Sequence, residues 1–218
     1  MTLLKIIILW GLTSFFIPVF GQTADQQIIN IGKFKTVSGE VITSAKISFR
    51  TIGQLNADKS NVVLWPTWFT GSTDDILTSE MLDKIIDTSG LYIILLDALG
   101  NGVSSSPSNT LNFPKISIAD MVESQHKLVR SHLGIKHVKA VMGVSMGAMQ
   151  ALEWMVRYPN YMDKVISIAG SASLTSYETL VWQTQIDLLE DAIQNKHGLN
   201  FALQKAYDIF YMNLSTPQ

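Results

Sequence analysis

The residues with the clearest chemical potential are a serine and its flanking glycines, in the segment Gly-Val-Ser-Met-Gly at 143–147. An apolar run before it predicts a strand and a periodic run after it predicts a helix, so the serine falls on a tight strand-to-helix turn. Such a turn exposes the serine oxygen beside a helix N-terminus, which stabilises developing negative charge. The segment predicts acyl-transfer chemistry, with Ser145 as the nucleophile and the Met146 amide directed at the oxyanion. An ordinary glycine-rich connection is the alternative interpretation.

The sequence shows no clear acid or histidine to act as the catalytic partner of this serine. The order expected with this turn is serine, then an acid, then a histidine. No acid closes the predicted strand 164–169, and of the four histidines only His197 follows the serine. His197 stands beside Gly198 at a predicted helix end, where a favourable interaction with the helix dipole would also explain a histidine. A catalytic base and a helix-end residue are therefore both open interpretations of His197. The other histidines are interpreted as surface or helix-end residues: His126, His132 and His137.

The elements that must position the serine alternate between strand and helix. Strands are predicted at 28–35, 41–52, 61–65, 91–96, 137–142 and 164–169, and helices at 74–88, 118–133, 146–158, 177–194 and 199–212. A Ser-Gly turn at 38–39 joins the first two strands into an antiparallel pair at a sheet edge. The rest predicts an α/β fold, a mainly parallel doubly wound sheet with helices on both faces.

Composition restricts the class of protein. The chain has 218 residues, of which 47% are hydrophobic and 16% charged, as expected for one folded domain or slightly more. A net charge of −2 without a basic block disfavours nucleic-acid binding. The absence of cysteine excludes a thiolate metal site and a cysteine nucleophile, and no His or carboxylate spacing indicates a metal. We therefore expect no metal and no cofactor.

The N-terminus resembles a targeting segment. Residues 1–5 carry one positive charge, 6–20 are almost entirely apolar, and small residues precede a cleavage site after Gly21. This is the pattern of a secretory signal, and the run is shorter than the ~20 residues that a spanning helix needs. The sequence predicts a cleaved signal peptide at 1–21 and a secreted or periplasmic protein without stable membrane insertion. An uncleaved anchor and a buried N-terminal helix are the alternatives.

Several strings resemble the homoserine O-acetyltransferase family of the α/β-hydrolase superfamily. GVSMGAMQALEW at 143–154 resembles its nucleophile-elbow string, and the segments 37–56, 70–71 and 113–135 resemble its opening hairpin, oxyanion loop and preceding helix. The resemblance runs from about residue 28 to 175. It implies an α/β-hydrolase fold with Ser145 as the nucleophile, and it implies that the amides of Met146 and Phe69 form the oxyanion hole.

Departures from the family string bear on the substrate. Val144 and Ala148 stand where strict members have glycine, Ala119 stands for an arginine, and the loop 97–109 looks more like that of hydrolase relatives. Together with the predicted secretion, these departures favour hydrolysis of an ester or acyl substrate over acetyl transfer to homoserine. The expected partner is thus a small-molecule acyl donor or ester, and the sequence leaves the oligomeric state open.

The resemblance also implies a domain division. We expect an α/β-hydrolase core at 22–174 and the beginning of a helical cap at 175–218. In the family, the acid and the histidine follow later strands, so we expect a truncated chain that lacks the C-terminal strands and is inactive alone. A strand left open at the sheet edge predicts poor solubility of residues 22–218. The alternative is a non-catalytic binding module that retains half of a site.

Overall fold

The computed structural model describes residues 25–196 and 198–214. Its centre is a six-stranded sheet in the order β1-β2-β4-β3-β5-β6. The strands are β1 (Gln27–Lys35), β2 (Val41–Ile52), β3 (Val62–Pro66), β4 (Tyr92–Leu96), β5 (Val138–Val144) and β6 (Met162–Ile168). β1 pairs antiparallel with β2, and β2 with β4, whereas β4, β3, β5 and β6 run parallel. The predicted mainly parallel sheet with an antiparallel edge pair is confirmed.

Helices cover both faces of this sheet. They are α1 (Thr73–Thr78), α2 (Met81–Ile85), α3 (Ile118–His126), α4 (Met146–Arg157), α5 (Ser176–Gln194) and α6 (Leu199–Leu214). β3 shows the doubly covered arrangement, because Val62 and Leu64 join the core on one face and Val63 and Trp65 join the core on the other. This alternation follows the two-residue period of a strand. It places the carboxyl ends of β3 and β5 side by side at one edge of the sheet.

The prediction of one helix over 74–88 is wrong, because the chain breaks between two short helices. Ser79 closes α1 in an extended conformation, and its hydroxyl donates to the carbonyl oxygen of Ile76 at 2.9 Å. A serine that satisfies the local backbone in this way competes with helix continuation. α2 begins immediately afterwards, and Ile86 returns the chain to an extended conformation.

The predicted helix over 118–133 is present, but its second half differs in type. After α3 the segment Lys127–His132 is a π-helix, and the Leu133 amide donates to the Leu128 carbonyl five residues earlier. The ammonium of Lys59 donates to the carbonyl oxygens of Leu133 and Gly134, both at 3.1 Å, and so closes this end. Hydrophobic periodicity does not distinguish one such wide turn from an α-helical turn.

β6 and the last two helices are largely exposed. β6 forms an edge of the described sheet, and its Ile166 is 40% exposed. α5 and α6 pack against each other as a helical hairpin while leaving Leu180 and Phe201 exposed. In the described ranges no helix is long and apolar enough to cross a bilayer. The predicted signal peptide, its cleavage site and His197 lie outside the described residues.

Candidate active site

Ser145 occupies a strained turn between β5 and α4. Its backbone has φ 54° and ψ −124°, and it caps α4 without a side-chain hydrogen bond to the helix. The residue is exposed, and its amide donates to the carbonyl oxygen of Ile168, at the end of β6, at 2.9 Å. A non-glycine residue in this region carries a cost of roughly 1–3 kcal/mol, which persists only where the surroundings enforce it. The predicted strand–turn–helix context of Ser145 is therefore present.

Two glycines enforce the turn through close approach rather than through backbone freedom. A Cβ on Gly143 would lie 2.3 Å from the carbonyl carbon of Gly147, and a Cβ on Gly147 would lie 2.4 Å from the carbonyl oxygen of Pro66. The first turn of α4 therefore lies directly against the end of β3. Any side chain at either position would push α4 away from the sheet.

An open cavity of about 870 Å³ lies above this turn. It is lined by Ser145 and Met146 from the turn, by Trp68 and Phe69 from the β3–α1 loop (67–72), and by residues of the helical hairpin. The structure therefore brings together all three residues predicted for the site. A second cavity of about 640 Å³ lies between the β1–β2 hairpin and the loop 103–112, and none of these three residues lines it.

Phe69 connects the β3–α1 loop to the helical hairpin. Its ring meets Trp182 of α5 edge-on with centroids 5.3 Å apart, and Phe210 of α6 at 6.0 Å. Such edge-to-face pairs contribute about 0.5–1.5 kcal/mol beyond their buried area. Thr70, the next residue, has φ 63°, and Ala169, which lines the cavity, has φ 51°, so backbone with positive φ lies at or beside the cavity at two further points.

The cavity is mostly apolar, and its charges are acidic. Its ionisable lining residues in the described ranges are Glu153 and Glu178, with no lysine, arginine or histidine among them. Glu153 accepts from Arg157 Nε at 2.5 Å. Glu178 caps α5, and hydrogen bonds from the backbone and hydroxyl of Thr175 lower its pKa. Ser171 adds a polar atom, since its buried Oγ has no hydrogen-bond partner within the described part of the chain.

Asn101 holds the β3–α1 loop in place. Its Nδ2 donates to the carbonyl oxygens of Trp68 at 2.6 Å and Gly71 at 3.0 Å. Gly71 is needed because a Cβ there would lie 2.5 Å from Nε1 of Trp68. The loop that carries Phe69 is therefore closed on itself by one amide side chain.

Asp97 serves the scaffold rather than the serine. Its carboxylate is 1% exposed and accepts from the amide of Thr73 at 2.7 Å, from its hydroxyl at 3.0 Å and from the Ser48 hydroxyl at 2.6 Å. These bonds join the start of α1 to β2 and to the end of β4. Asp97 does not line the cavity.

The described histidines lie away from the cavity. His126 stacks on Tyr158 with centroids 3.8 Å apart, and burial lowers the pKa of its imidazole. His137 lies 2.9 Å from Asp163 at an exposed position, and His132 is exposed at the end of the π-helix. None of these three lines the cavity beside Ser145. Across residues 25–196 and 198–214, no three acidic or histidine side chains cluster in a way that could hold a metal.

Sequence analysis missed Asn101, Gln125 and Gln150. The two glutamines are fully buried between α3 and α4, where each interrupts an apolar helix face. A glutamine within an apolar stripe needs internal hydrogen-bond partners, and that signal was available from the sequence. Asn101 stands in a loop rich in polar residues, where its type gives no comparable signal.

Comparisons with known proteins agree with this geometry. A family model described as alpha/beta hydrolase fold matches residues 64–199. A probable esterase of Corynebacterium glutamicum is 36% identical over 179 residues, which cover 78% of this chain and 50% of that protein. A homoserine O-acetyltransferase of Methanosalsum zhilinae is 32% identical over 202 residues, covering 81% of this chain and 40% of that protein. The solved structure of an acetyl esterase superposes with a TM-score of 0.81 at 30% identity, over 88% of this chain and 60% of that one.

The chain matches only part of each of these relatives. The chain spans half or less of the length of the two curated relatives. The matched family segment begins within β3 and includes β5 and α4, and so contains the serine turn and the β3–α1 loop.

Proposed function

Because the chain belongs to the α/β-hydrolase family, we propose that it is a serine-dependent acyl-transfer protein in which Ser145 is the nucleophile. The observation that carries the proposal is the strained, exposed position of Ser145 at the start of α4, facing a cavity shared with Phe69. The esterase and acetyltransferase relatives support chemistry on a small acyl or ester substrate.

Two backbone amides are proposed to hold the oxyanion. The Met146 amide is the first of α4, so it has no acceptor within the helix and is available to a ligand. The Phe69 amide is the proposed second donor, on the loop that Asn101 closes. Both residues line the same cavity as Ser145. Donors arranged in this way contribute about 10²–10³-fold to the rate in comparable enzymes.

The reaction proceeds by two acyl transfers. Ser145 Oγ bonds to the ester carbonyl carbon while its proton passes to a general base, and the carbonyl oxygen becomes the oxyanion held by the two amides. The intermediate then loses the alcohol, which takes the proton back from the base. Water repeats these steps on the acyl-serine and releases the acid. Because the described histidines lie away from the cavity, we propose that the base and its acid come from outside the described residues.

Hydrolysis of a neutral ester is the proposed reaction, in preference to acetyl transfer from coenzyme A to homoserine. Both of those substrates carry anionic groups, and the described lining offers them only the carboxylates of Glu153 and Glu178. An apolar wall with a few polar groups suits a small neutral ester. Ser171 also lines the cavity, and we propose that its hydroxyl, which has no hydrogen-bond partner among the described residues, donates to such a substrate.

The test is an assay of the protein expressed from its complete reading frame. We expect hydrolysis of p-nitrophenyl acetate that Ser145→Ala abolishes, and fluorophosphonate labelling of the native serine. Ser173→Ala, at an exposed cavity residue, is the matched control. Efficient acetyl-CoA-dependent transfer to homoserine without esterase activity would contradict the preference for hydrolysis.

A non-catalytic binding module is the second candidate, and the distance of the described histidines from the cavity favours it. In that case a neutral ester would bind without turnover and fluorophosphonate would leave Ser145 unlabelled. Secretion is a separate proposal that rests on the sequence of residues 1–21. N-terminal sequencing of the exported protein should give a new terminus at Gln22, and an intact Met1 on the mature protein would contradict it.

A further inference from the structure

A chain of buried side-chain hydrogen bonds runs from the core to the floor of the cavity. Trp154 Nε1 donates to Gln125 Oε1 at 2.9 Å, and Gln125 Nε2 donates to Gln150 Oε1 at 2.6 Å. Gln150 Nε2 then donates to two backbone carbonyl oxygens, that of Thr67 at 3.0 Å and that of Met146 at 3.1 Å. All three side chains are fully buried.

The direction of this chain is determined at both ends, by the indole N–H of Trp154 and by the carbonyl oxygens of Thr67 and Met146. An indole nitrogen donates and never accepts, so Gln125 must turn its oxygen toward Trp154. Its amide nitrogen then faces Gln150, whose oxygen must accept and whose NH₂ group must point the other way. Both hydrogens of that NH₂ therefore face carbonyl oxygens, which are the acceptors they require.

The two carbonyls belong to the two walls of the proposed oxyanion hole. Thr67 begins the β3–α1 loop, two residues before Phe69, and Met146 is the first residue of α4. Because one planar NH₂ group bonds to both carbonyl oxygens, it fixes the distance between the β3–α1 loop and the start of α4. Gln150 itself does not line the cavity.

We propose that Gln150 is a positioning residue that sets the spacing between the Phe69 and Met146 amides, and that Gln125 and Trp154 orient it. The inference rests on the proposed function, because spacing matters only if these amides stabilise an oxyanion. A misplacement of about 1 Å in a preorganised site costs on the order of 10²-fold in rate.

The experiment compares two glutamines with the same local bond. Gln185 in α5 is also buried and donates to the carbonyl four residues earlier, Val181, at 3.1 Å, but it lies outside the cavity lining. In the complete protein we expect Gln150→Met to lower kcat for p-nitrophenyl acetate by about 10–100-fold with KM changed by less than about threefold. Gln185→Met should leave both within about twofold of native.

A second variant separates positioning from folding. In Gln150→Met, the amide of Gln125 loses its partner, whereas Trp154→Phe/Gln125→Met/Gln150→Met removes both amides and the indole donor and should recover part of the urea stability. Under the proposal, kcat does not recover with it. Gln125→Met alone removes the donor that holds Gln150 Oε1, so the amide plane of Gln150 can rotate about its bonds to the two carbonyls. It should lower kcat by about 3–10-fold and decides the matter if Gln150→Met does not fold.

The outcomes are distinct. A folded Gln150→Met protein with kcat within about twofold of native, or a triple variant whose kcat recovers with stability, would overturn the positioning role. If Gln150→Met does not fold, a Gln125→Met protein with native kcat would also overturn the positioning role. A native protein without Ser145-dependent turnover would instead reject the proposed function, and the role of Gln150 with it.

Discussion

Ala148 and Gly170 face each other so closely that only one of them can carry a side chain. A Cβ built on Gly170 would lie 2.4 Å from the Cβ of Ala148 and 3.1 Å from the carbonyl oxygen of Ser145. Gly170 follows β6, and Ala148 lies in the first turn of α4. The space beside the nucleophile turn is therefore shared between the helix and the segment after β6.

Gly170→Ala should destabilise the protein by about 1–3 kcal/mol, because it overfills this contact. Ala148→Gly alone should cost about 0.5–1 kcal/mol through helix propensity. Combining the two should recover part of the loss, which urea unfolding of the four proteins measures as a coupling energy. Strictly additive free energies would contradict the contact.

Gly147→Ala should remove activity rather than only stability. Its Cβ would displace α4 from the Pro66 carbonyl oxygen and move the Met146 amide, so we expect kcat to fall by about 10²-fold. Gly32→Ala is the control, because φ is 76° and nothing lies within 4 Å of its Cβ. That change should cost about 1–2 kcal/mol of backbone strain and leave kcat as it is. Equal effects of the two changes on kcat would argue against a specific role for the Gly147 contact.

Asp97→Asn should reduce the free energy of unfolding by about 1–3 kcal/mol, because an amide cannot accept all three hydrogen bonds at that buried position. Asp74→Asn is the matched surface change, since Asp74 pairs with Arg50 at 3.6 Å with its side chain 66% exposed. A surface pair contributes less than about 1 kcal/mol. Urea unfolding of both variants checks the difference, and equal losses would count against the role given to Asp97.

Stability should fall in mild acid because of His126. Burial lowers the pKa of its imidazole below the ordinary 6.5, against the opposing charge of Glu123. As pH falls below 6.5 the unfolded chain binds a proton that the folded state resists, so stability present above that pH is lost as pH passes through the folded pKa. Urea midpoints between about pH 7.5 and about pH 5 measure this loss.

His126→Phe keeps the stacking on Tyr158 and should flatten that pH dependence. His132→Phe, at the exposed end of the π-helix, should keep it. A His126→Phe protein with the native pH profile would show that other groups control the acid response.

Trp182→Ala should loosen the helical hairpin from the β3–α1 loop. It removes the edge contact with Phe69, worth about 0.5–1.5 kcal/mol beyond buried area, so amides of α5 should exchange faster. Tyr207→Ala is the control, because Tyr207 stacks on Tyr211 at 6.1 Å on an exposed part of α6. Unchanged exchange in Trp182→Ala would show that the hairpin is held by other contacts.

Local patterns predicted the nucleophile turn well. The apolar run before Ser145, the flanking glycines and the helical period after it all act within a few residues, and they correctly placed a strand, a strained turn and a helix. The antiparallel edge pair was equally accessible, because a Ser-Gly turn joins two β-branched runs. Phe69 came only from the resemblance of Thr70-Gly71 to a family string, and its proposed role as an oxyanion donor is still a prediction.

Specific side-chain hydrogen bonds could not be predicted from the sequence. The helix breaks at Ser79, where the side-chain hydroxyl bonds to the carbonyl oxygen of Ile76 and the chain leaves the helical conformation. Hydrophobic periodicity carries no information about such a bond. The relation of Gln125 to Gln150 depends on the packing of α3 against α4, 25 residues apart in the chain. The bonds of Asp97 to Thr73 and Ser48 likewise exist only after β2, β4 and α1 have met.

The one-way chain from Trp154 to Thr67 has a consequence for how this protein can change over generations. Replacing Trp154 with a similar ring that lacks a donor would leave the shape of the core almost intact, yet it would leave the buried Oε1 of Gln125 without its hydrogen-bond donor. The carbonyl oxygens of Thr67 and Met146 would still orient the amide of Gln150, and Gln150 would still orient that of Gln125, so the loss would fall on the stability of the core. We therefore expect positions 125, 150 and 154 to be inherited as a set, because the loss of any one of them leaves a buried polar group of another unpaired.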